Sequence, residues 1–597
     1  MKRFSFFLLA LGLATTVSAR PAKSEWRTVT QSDGTSLRVT LCGDERFHFY
    51  MTEDNVKLVR MDNGDYHYAN TMGFALTSTG ILAHEAGSRT AGERRCVAAQ
   101  GDISQLRQSA VDRRSARRQA MLQGPAAAKK SVSDGKPRRG LVIMAKFTDK
   151  DFSMDNARQV WGDILNKEGY SDYNANGSVH DYFLEQSNGM FNLTFDLVGP
   201  VAMPKSHYYY GKNSADGDID INAGELVAEA CKAVVDSVDF RDYDWDGDGY
   251  VDQVFILYAG CGEAVSGADS RLLWPHEYQL SAYAGYRNGL KLDGVTVNTY
   301  AIGSELEGLE RNSYSNPLTG LGTFCHEFSH CLGLPDVYDT SYSGGLDMLG
   351  SYDLMSAGWD NGSGFCPPNY TAYERKACGW QTPVELKEPV TVTGMRSLSD
   401  KGETYQVTNE CDDASVDEYF LIENRQKTGW DREIPGKGVM ISRVNYNEKK
   451  WFYNTVNNDR SDLGIVYFPA NNRWTSSMYT PYPYSRRDSL TDTSSPKAEV
   501  YNLNKKGKRL MGKPITKIAV DSKGLASFDF CGGSAAAGIS GVAAGGACSG
   551  LDGMPVTVYD EAGRKVAAIK SYRGLGTMPK GIYIVKGRDK TVKVVNL

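Results

Sequence analysis

The sequence predicts a multidomain α+β protein, and three observations support this fold class. The chain has 597 residues, enough for about three to five domains of ordinary size. Between residues 138 and 380, continuous apolar runs that suit buried strands alternate with segments of helical spacing. After Trp380, short β-rich segments separated by polar turns dominate, which is typical of a β-sandwich.

The N-terminus has the pattern of an export signal. Lys2 and Arg3 precede an apolar run, Phe4 to Val17, and Ala19 ends a small-residue cleavage site. We therefore expect residues 1–19 to be a signal peptide and the protein to be secreted or displayed at the cell surface. A membrane anchor is the alternative, but no later apolar run approaches the roughly 20 residues of a membrane-spanning helix. No stable membrane insertion is expected.

Residues 20–137, the first unit, combine short alternating segments with a basic end. The segment 36–41 alternates as a strand, whereas Arg113–Arg118 and 126–130 are basic and alanine-rich. Such a run, ahead of a new apolar strand, indicates an exposed processing linker, and a solvated helix face is the alternative.

Residues 138–380, the central unit, contain the alternating elements. We predict strands at 141–147, 190–198 and 251–259, and helices at 179–185, 223–235 and 321–332.

Residues 381–532, the β-unit, are predicted to form a β-sandwich, with strands near 388–393, 419–422 and 438–441. A Gly/Ala/Ser-rich link, 532–550, leads to a small C-terminal β-domain at 550–597, the C-terminal unit. Its segments 558–560 and 580–585 resemble the sorting domains of proteins exported by type IX secretion. An ordinary accessory β-domain is the alternative.

Composition narrows the function classes. The net charge is only −5, with 23% charged residues, whereas a nucleic-acid binder should be strongly basic. The 11 cysteines are an odd number, so at least one is left over from intramolecular disulfides. Cys42 could cap a metal as a thiolate, but pairing with Cys96 or simple burial is the favoured interpretation.

The segment from His326 to His330 reads His-Glu-Phe-Ser-His. Residues four apart share a helix face, so both imidazoles can point at one ion. Glu327 stands beside them, where it can hold and deprotonate a water molecule at the metal. Zinc in catalytic sites takes three protein ligands and keeps a fourth position open. The alternative is an accidental match on a core helix.

Two downstream features extend this motif. Gly333 tolerates the positive φ that a sharp turn requires, and Asp336 follows where the metzincin pattern places its third ligand, usually histidine. Met355, in Tyr-Asp-Leu-Met-Ser-Ala-Gly, matches a Met-turn beneath the metal. Glu374, on a later helix, is the competing third ligand.

An acidic loop is the second candidate metal site. Asp244, Asp246, Asp248 and Asp252 occupy positions 1, 3, 5 and 9 of a pattern like the start of an EF-hand loop, and a glycine stands at position 6. Because position 12 is Phe255, we predict a shortened calcium loop, with an acidic surface turn as the alternative. Asp216, Asp218 and Asp220 form a weaker cluster.

With these motifs in hand, the chain resembles the immune inhibitor A (thuringilysin-like) family of metallopeptidases. The segments that carry the resemblance are 139–143, 178–183, 187–189, 246–252, 274–276, 326–339 and 418–425. The resemblance implies a zincin catalytic domain, a secreted zinc-dependent endopeptidase, calcium sites and an inhibitory propeptide.

We therefore expect a secreted endopeptidase, made as a zymogen, that hydrolyses extracellular proteins or peptides. Zinc would be held by His326, His330 and Asp336, with Glu327 as general base, and the first unit would be the prodomain. The alternative is a calcium-stabilised adhesin or binding protein whose metal site lacks activity. The intact Glu327 and the complete ligand set argue against the adhesin.

Overall fold

The computed structural model describes most of the chain between residues 21 and 596. The described residues are 21–71, 76–103, 106, 134–214, 219–310, 316–340, 349–534, 542–544, 555–560, 564–570, 578, 581–586 and 591–596. The predicted signal peptide and the basic stretch 113–118 lie outside these ranges. The fold is mixed α/β with several separate sheets, in agreement with the fold class predicted at this coarse level.

The first unit is a six-stranded meander in which each strand pairs with the next. Its elements are β1 (Arg27–Thr30), β2 (Ser36–Gly43), β3 (His48–Thr52), β4 (Lys57–Arg60), β5 (Tyr66–Asn70), β6 (Thr77–Leu82) and helix α1 (Ala91–Ala99). Alternate β2 residues Leu37, Val39 and Leu41 are fully buried, as the predicted period of two requires. They share a hydrophobic cluster with Ala264 and Trp274 of the central unit, so the meander is docked on that unit.

The central unit is built around one five-stranded sheet. Its elements are β7 (Pro137–Lys146), α2 (Ala157–Asn166), α3 (Val179–Gln186), β8 (Asn192–Ala202), α4 (His207–Tyr210), α5 (Ala223–Val234), β9 (Tyr250–Val251), β10 (Val254–Cys261), β11 (His276–Gln279), β12 (Leu290–Leu292), β13 (Val295–Val297), β14 (Thr299–Leu306), α6 (Leu321–Cys331) and α7 (Ala372–Ala377). The strand order is β11-β14-β10-β7-β8. All neighbours pair parallel except β11, which runs antiparallel to β14 at the edge.

Both faces of this sheet are covered. Val142 and Met144 of β7 face a cluster that includes α2, α3 and α6. Leu141 and Ile143 face the opposite way, against α5. Because parallel strands covered on both faces read as continuous apolar runs, the predicted strand at 141–147 was recognisable from sequence.

The predicted strand at 251–259 is two strands. Tyr250 and Val251 pair with β13 in a small three-stranded sheet, whereas β10 starts at Val254 in the main sheet. The backbone N–H of Asp252 between them donates to the carbonyl of Tyr243. This turn back to the acidic loop breaks a run that looks continuous in sequence.

The β-unit consists of two sheets that enclose one core. Its elements are β15 (Val384–Glu385), β16 (Val390–Met395), β17 (Tyr405–Thr408), β18 (Asp417–Arg425), β19 (Gly438–Tyr446), α8 (Glu448–Phe452), β20 (Ile465–Tyr467), β21 (Ile515–Val520) and β22 (Ala526–Phe530). Sheet β15-β17-β18-β19-β20 faces sheet β16-β22-β21 across a cluster that contains Phe420, Ile422 and Phe528. The other face of β18 carries Tyr419 and Leu421, which belong to the hydrophobic cluster of α6.

The C-terminal unit forms a five-stranded sheet, in the order β23-β27-β26-β24-β25. Its strands are β23 (Val542–Ala544), β24 (Val556–Tyr559), β25 (Lys565–Ile569), β26 (Gly581–Lys586) and β27 (Thr591–Asn596). Within the described ranges, no helix has the length and apolar character needed to cross a membrane. The ten cysteines of the described residues form no disulfide bond, and Cys42 and Cys96 are therefore not joined to each other.

Candidate metal centre

Helix α6 holds the two predicted histidine ligands on one face. The Nε2 atoms of His326 and His330 are 3.1 Å apart, as expected for residues one helical turn apart. The aromatic residues Phe324 and Phe328 anchor the helix in the core, where Phe324 stacks on Phe255 with a centroid distance of 4.1 Å. The sheet thus fixes where the imidazoles lie.

Both imidazoles are oriented by backbone carbonyls. His326 Nδ1 lies 2.8 Å from the carbonyl oxygen of Leu354, and His330 Nδ1 lies 2.8 Å from that of Leu334. A carbonyl only accepts hydrogen bonds, so each Nδ1 carries the proton and each Nε2 keeps a free lone pair. This tautomer is the one that binds metal through Nε2.

The chain reverses just after α6 and returns toward the histidines. Gly333 has φ +93°, and the N–H groups of Gly333 and Leu334 donate to the carbonyls of His330 and Ser329. This pattern is a Schellman C-cap, which favours glycine at the left-handed position. It brings Asp336 Oδ1 to 3.3 Å from His326 Nε2 and 3.5 Å from His330 Nε2.

The second oxygen of Asp336 is held by a residue that sequence reasoning missed. Asn454, just after α8, donates from Nδ2 to Asp336 Oδ2 at 2.6 Å, and its Oδ1 accepts from the Asp336 backbone N–H at 2.6 Å. The two residues are 118 positions apart. The only sequence signal is an asparagine-rich stretch at 454–458, and that stretch does not indicate its partner.

The centre is fully buried, and its electrostatics suit a cation. His326, Glu327, His330 and Asp336 are all 0% exposed. Burial lowers the pKa of His330 to about 3, so this imidazole is neutral. Burial opposes ionisation of Asp336, but its electrostatic partners, which include the cationic Arg46, outweigh burial and lower the pKa of its carboxyl.

These residues fit a metal ion. One ligand atom from each of His326, His330 and Asp336 lies within 4.8 Å of the others. Asp336 Oδ1 is buried and makes no hydrogen bond, a costly arrangement for a carboxylate that a cation would relieve. Two imidazole nitrogens and one carboxylate oxygen are the donor set that zinc takes in catalytic sites.

The segment around Met355, which was predicted to be a Met-turn, contacts the elements that carry the candidate ligands. Met355 is fully buried, and its carbonyl accepts a hydrogen bond from the N–H of Val337. Leu354, its neighbour, supplies the carbonyl that orients His326. The segment around Met355 thereby contacts both helix α6 and the loop that carries Asp336.

Glu374, the competing third ligand, lies outside the group. It stands in the first turn of α7, where its carboxylate accepts from the N–H of Thr371 at 2.6 Å. The Thr371 hydroxyl in turn accepts from the N–H of Glu374 at 3.3 Å, which completes a capping box.

A turn from the first unit covers the candidate metal centre. Between β2 and β3, the turn 43–47 contributes Asp44, Glu45 and Arg46, all less than 10% exposed. Arg46 Nη2 lies 4.0 Å from Asp336 Oδ2, Nη1 donates to the carbonyl of Asn454 at 3.2 Å, and Nε pairs with Glu45 at 3.2 Å. Burial raises the pKa of Asp44, and the neighbouring Glu45 adds to the rise.

The covering turn is itself tightly built. Gly43 has φ +125°, and a Cβ there would lie 2.3 Å from the carbonyl oxygen of Phe47. The Asp44 carboxylate accepts from the N–H groups of Arg46 and Phe47 at 2.8 and 3.2 Å. Sequence reasoning missed this turn, although a charged triplet directly after an apolar strand is an unusual pattern.

The acidic loop lies apart from the histidines, between α5 and β9. Carboxylate oxygens of Asp244, Asp246 and Asp248 lie within 4.8 Å of one another. The Asp244 carboxylate also accepts from the N–H groups of Gly247 and Gly249 at 2.8 and 3.0 Å, which curls the loop. Asp252 is not in this trio, and its carboxylate accepts from the Trp245 N–H at 2.6 Å.

The remaining candidates have structural partners. His276 is buried between the Trp274 carbonyl at 2.7 Å and the Tyr300 hydroxyl at 3.1 Å. Asp220 accepts from the Trp274 N–H at 2.9 Å, whereas Asp216 and Asp218 lie outside the described residues.

Comparisons with known proteins match the central unit to one peptidase family. Residues 142–380 match the family model of the immune inhibitor A peptidase M6 catalytic domain. Over 219 residues the chain is 29% identical to the pre-pro-metalloprotease PrtV of Vibrio cholerae, a match that covers 33% of this chain and 23% of that protein. Over 305 residues it is 25% identical to immune inhibitor A of Bacillus thuringiensis subsp. alesti, covering 43% of each chain.

These matches span less than half the length of either relative. The matched segment of the family model nevertheless includes α6, the Gly333 turn, the acidic loop and Met355. Residues 142–380 are therefore similar to the catalytic domain of the immune inhibitor A (M6) peptidases, and this match confirms the resemblance inferred from the motifs.

Proposed function

We propose that this protein is a secreted zinc endopeptidase, made as a zymogen, with a metzincin-like zincin catalytic domain. The observation that carries the proposal is that His326, His330 and Asp336 lie together at the end of helix α6. Glu327 directly follows His326 on the same helix. The antiparallel edge strand β11, the glycine turn and Met355 are consistent with that architecture.

In this proposal His326 Nε2, His330 Nε2 and Asp336 Oδ1 hold the ion. Bound zinc would lower the pKa of a water molecule to about 7 and polarise the scissile carbonyl. Glu327 accepts the proton of the attacking water and returns it to the leaving amine, since a general base on one step acts as acid on the next. The carbonyls of Leu354 and Leu334 keep both imidazoles in the required tautomer.

Latency is the second part of the proposal. The metal centre is 0% exposed, so a polypeptide cannot reach Glu327 while the turn 43–47 is docked. The contact of Arg46 with Asp336 supports the first unit as an inhibitory prodomain. The name of the Vibrio relative, a pre-pro-metalloprotease, is consistent with the signal peptide and prodomain proposed here.

The proposal has three further parts: the substrates are proteins or peptides, the protein is secreted, and a calcium ion binds at Asp244, Asp246 and Asp248. Asp252 supports that loop. The predicted signal peptide supports export, and the sorting role of the C-terminal unit stays a prediction. The adhesin alternative keeps the calcium loop and lacks catalysis.

Casein hydrolysis by the activated protein, compared with its Glu327→Ala variant, tests the proposal. We expect the parent to clear casein and the variant to be inactive while still binding one zinc per chain, because the ligands remain and the base is lost. Zinc binding without hydrolysis by the activated parent would favour the adhesin. Near-parental hydrolysis by Glu327→Ala would remove Glu327 from the mechanism.

A further inference from the structure

The residue that orients Asp336 comes from outside the segment that matches the peptidase family. Asn454 belongs to the β-unit, and the family match ends at residue 380. Its side chain is 1% exposed and spans both the backbone N–H and the Oδ2 atom of Asp336, each at 2.6 Å.

The two contacts leave Asp336 one free direction. An aspartate has a short side chain and two equivalent oxygens, so without a partner on Oδ2 either oxygen could turn toward the histidines. The amide of Asn454 occupies Oδ2 and fixes the backbone, so Oδ1 alone faces the Nε2 atoms of His326 and His330. Such outer partners set the direction and basicity of a ligand.

The backbone conformation and hydrogen bonds of Asn454 hold its side chain in this position. Its φ is +52°, a left-handed conformation that asparagine tolerates better than most residues. Its N–H donates to the Trp451 carbonyl, closing the end of α8, and its carbonyl accepts from the Thr340 hydroxyl at 2.9 Å. The side chain is thereby aimed at Asp336 by two elements at once.

We infer that Asn454 is a positioning residue for the metal centre: it orients the third ligand from the neighbouring unit. This inference rests on the proposed function, since it assumes that Asp336 binds the ion. It also means that the M6 catalytic segment does not contain its complete metal site in this protein.

Two substitutions separate this role from a purely structural one. Asn454→Gly keeps the left-handed backbone, which glycine adopts freely, and removes only the amide. Asn454→Asp keeps an acceptor for the Asp336 N–H and replaces the donor to Oδ2 by a carboxylate oxygen. Asn458→Ala is the matched control, because Asn458 also joins this stretch to the loop after Asp336, through Thr340 at 3.0 Å, and does not contact the carboxylate.

The experiment uses the full chain carrying Glu327→Ala, so that no variant can cut itself. Zinc dissociation constants are measured against a chromophoric chelator, and the absorption spectrum of the cobalt(II) form reports the ligand geometry. We expect Asn454→Gly and Asn454→Asp to weaken zinc binding by about 10–100-fold and to change the cobalt spectrum. Asn458→Ala should bind zinc as the parent does.

Parental zinc affinity and an unchanged cobalt spectrum in both Asn454 variants would overturn the inference. An equal loss in Asn458→Ala would also overturn it, because loop anchoring would then explain the effect. If the parent chain itself binds no zinc, the proposed function fails, and that result is distinguishable from failure of the Asn454 variants alone. Thermal unfolding of the zinc-free variants verifies that each is folded.

Discussion

The guanidinium of Arg46 and the carboxylate of Asp336 form a buried contact of 4.0 Å between the first unit and the candidate metal centre. Their side chains are 4% and 0% exposed. Loss of one partner from a buried ion pair costs about 3–5 kcal/mol, because the remaining charge stays in a nonpolar environment. The contact should therefore contribute to how tightly the first unit stays docked.

Arg46→Ala is expected to raise the peptidase activity of the uncut precursor. The substitution removes the contact with Asp336 and also leaves Glu45 without its guanidinium partner. We expect at least about tenfold faster hydrolysis of a short peptide than by the uncut parent, which corresponds to 1.4 kcal/mol of weaker docking. Arg38→Ala is the control, since Arg38 pairs with Glu53 on the exposed face of the same meander. Peptide hydrolysis by the uncut Arg46→Ala precursor that is no faster than by the uncut parent would contradict the expectation.

Cleavage in the basic linker between Arg113 and Arg139 is expected to release activity. While the linker is intact, the first unit is present at an effective concentration near the millimolar range, and a cut followed by dilution removes that advantage. Limited trypsin digestion, followed by mass spectrometry and a peptide assay, measures this. Full activity of a precursor shown by mass to be intact would rule out latency.

Asp336→Ala and Glu374→Ala should have different consequences. Asp336→Ala removes a ligand atom and should abolish stoichiometric zinc. Glu374→Ala should retain zinc and lower the free energy of unfolding by about 1–3 kcal/mol, because the Thr371 N–H loses its buried acceptor. Metal analysis together with denaturant unfolding checks both. Stoichiometric zinc in Asp336→Ala, with loss in Glu374→Ala, would reverse the assignment.

Calcium is expected to raise the unfolding temperature. An ion that binds only the native state adds about 2.7 kcal/mol at a concentration one hundred times its Kd. Replacing both Asp246 and Asp248 by Ala should abolish the calcium-dependent shift. The control, Asp412→Ala with Asp413→Ala, makes the same change of charge on the exposed surface of the β-unit. A calcium shift that survives in the Asp246/Asp248 variant would move the site elsewhere.

Local patterns predicted the local parts of this protein well. Helix α6 was expected at 321–332 and ends at Cys331, because apolar spacing and the following Gly333 both act within a few residues. The predicted ligands His326, His330 and Asp336 lie together because the helix repeat and one glycine turn determine their approach. Their role in binding zinc stays a prediction.

Long-range contacts were beyond such patterns. Asn454 and Arg46 reach Asp336 only after the β-unit and the meander have packed against the central unit. No periodicity or motif spacing in the sequence indicates that either residue contacts Asp336. The strand predicted at 251–259 was wrong only at its start, and for a tertiary reason, since Val251 pairs with Val297 and Val254 pairs with Leu141 in different sheets.

Strand β18 is buried on both faces, with Tyr419 and Leu421 in the core of α6 and Phe420 and Ile422 in the core between the β-sheets. The central unit and the β-unit are therefore expected to fold and unfold as one cooperative block. Heat or denaturant should melt the metal centre and the β-unit in a single transition. A fragment that stops at Trp380 would expose the apolar surface that β18 covers, so the shortest fragment with a complete core extends to Phe530.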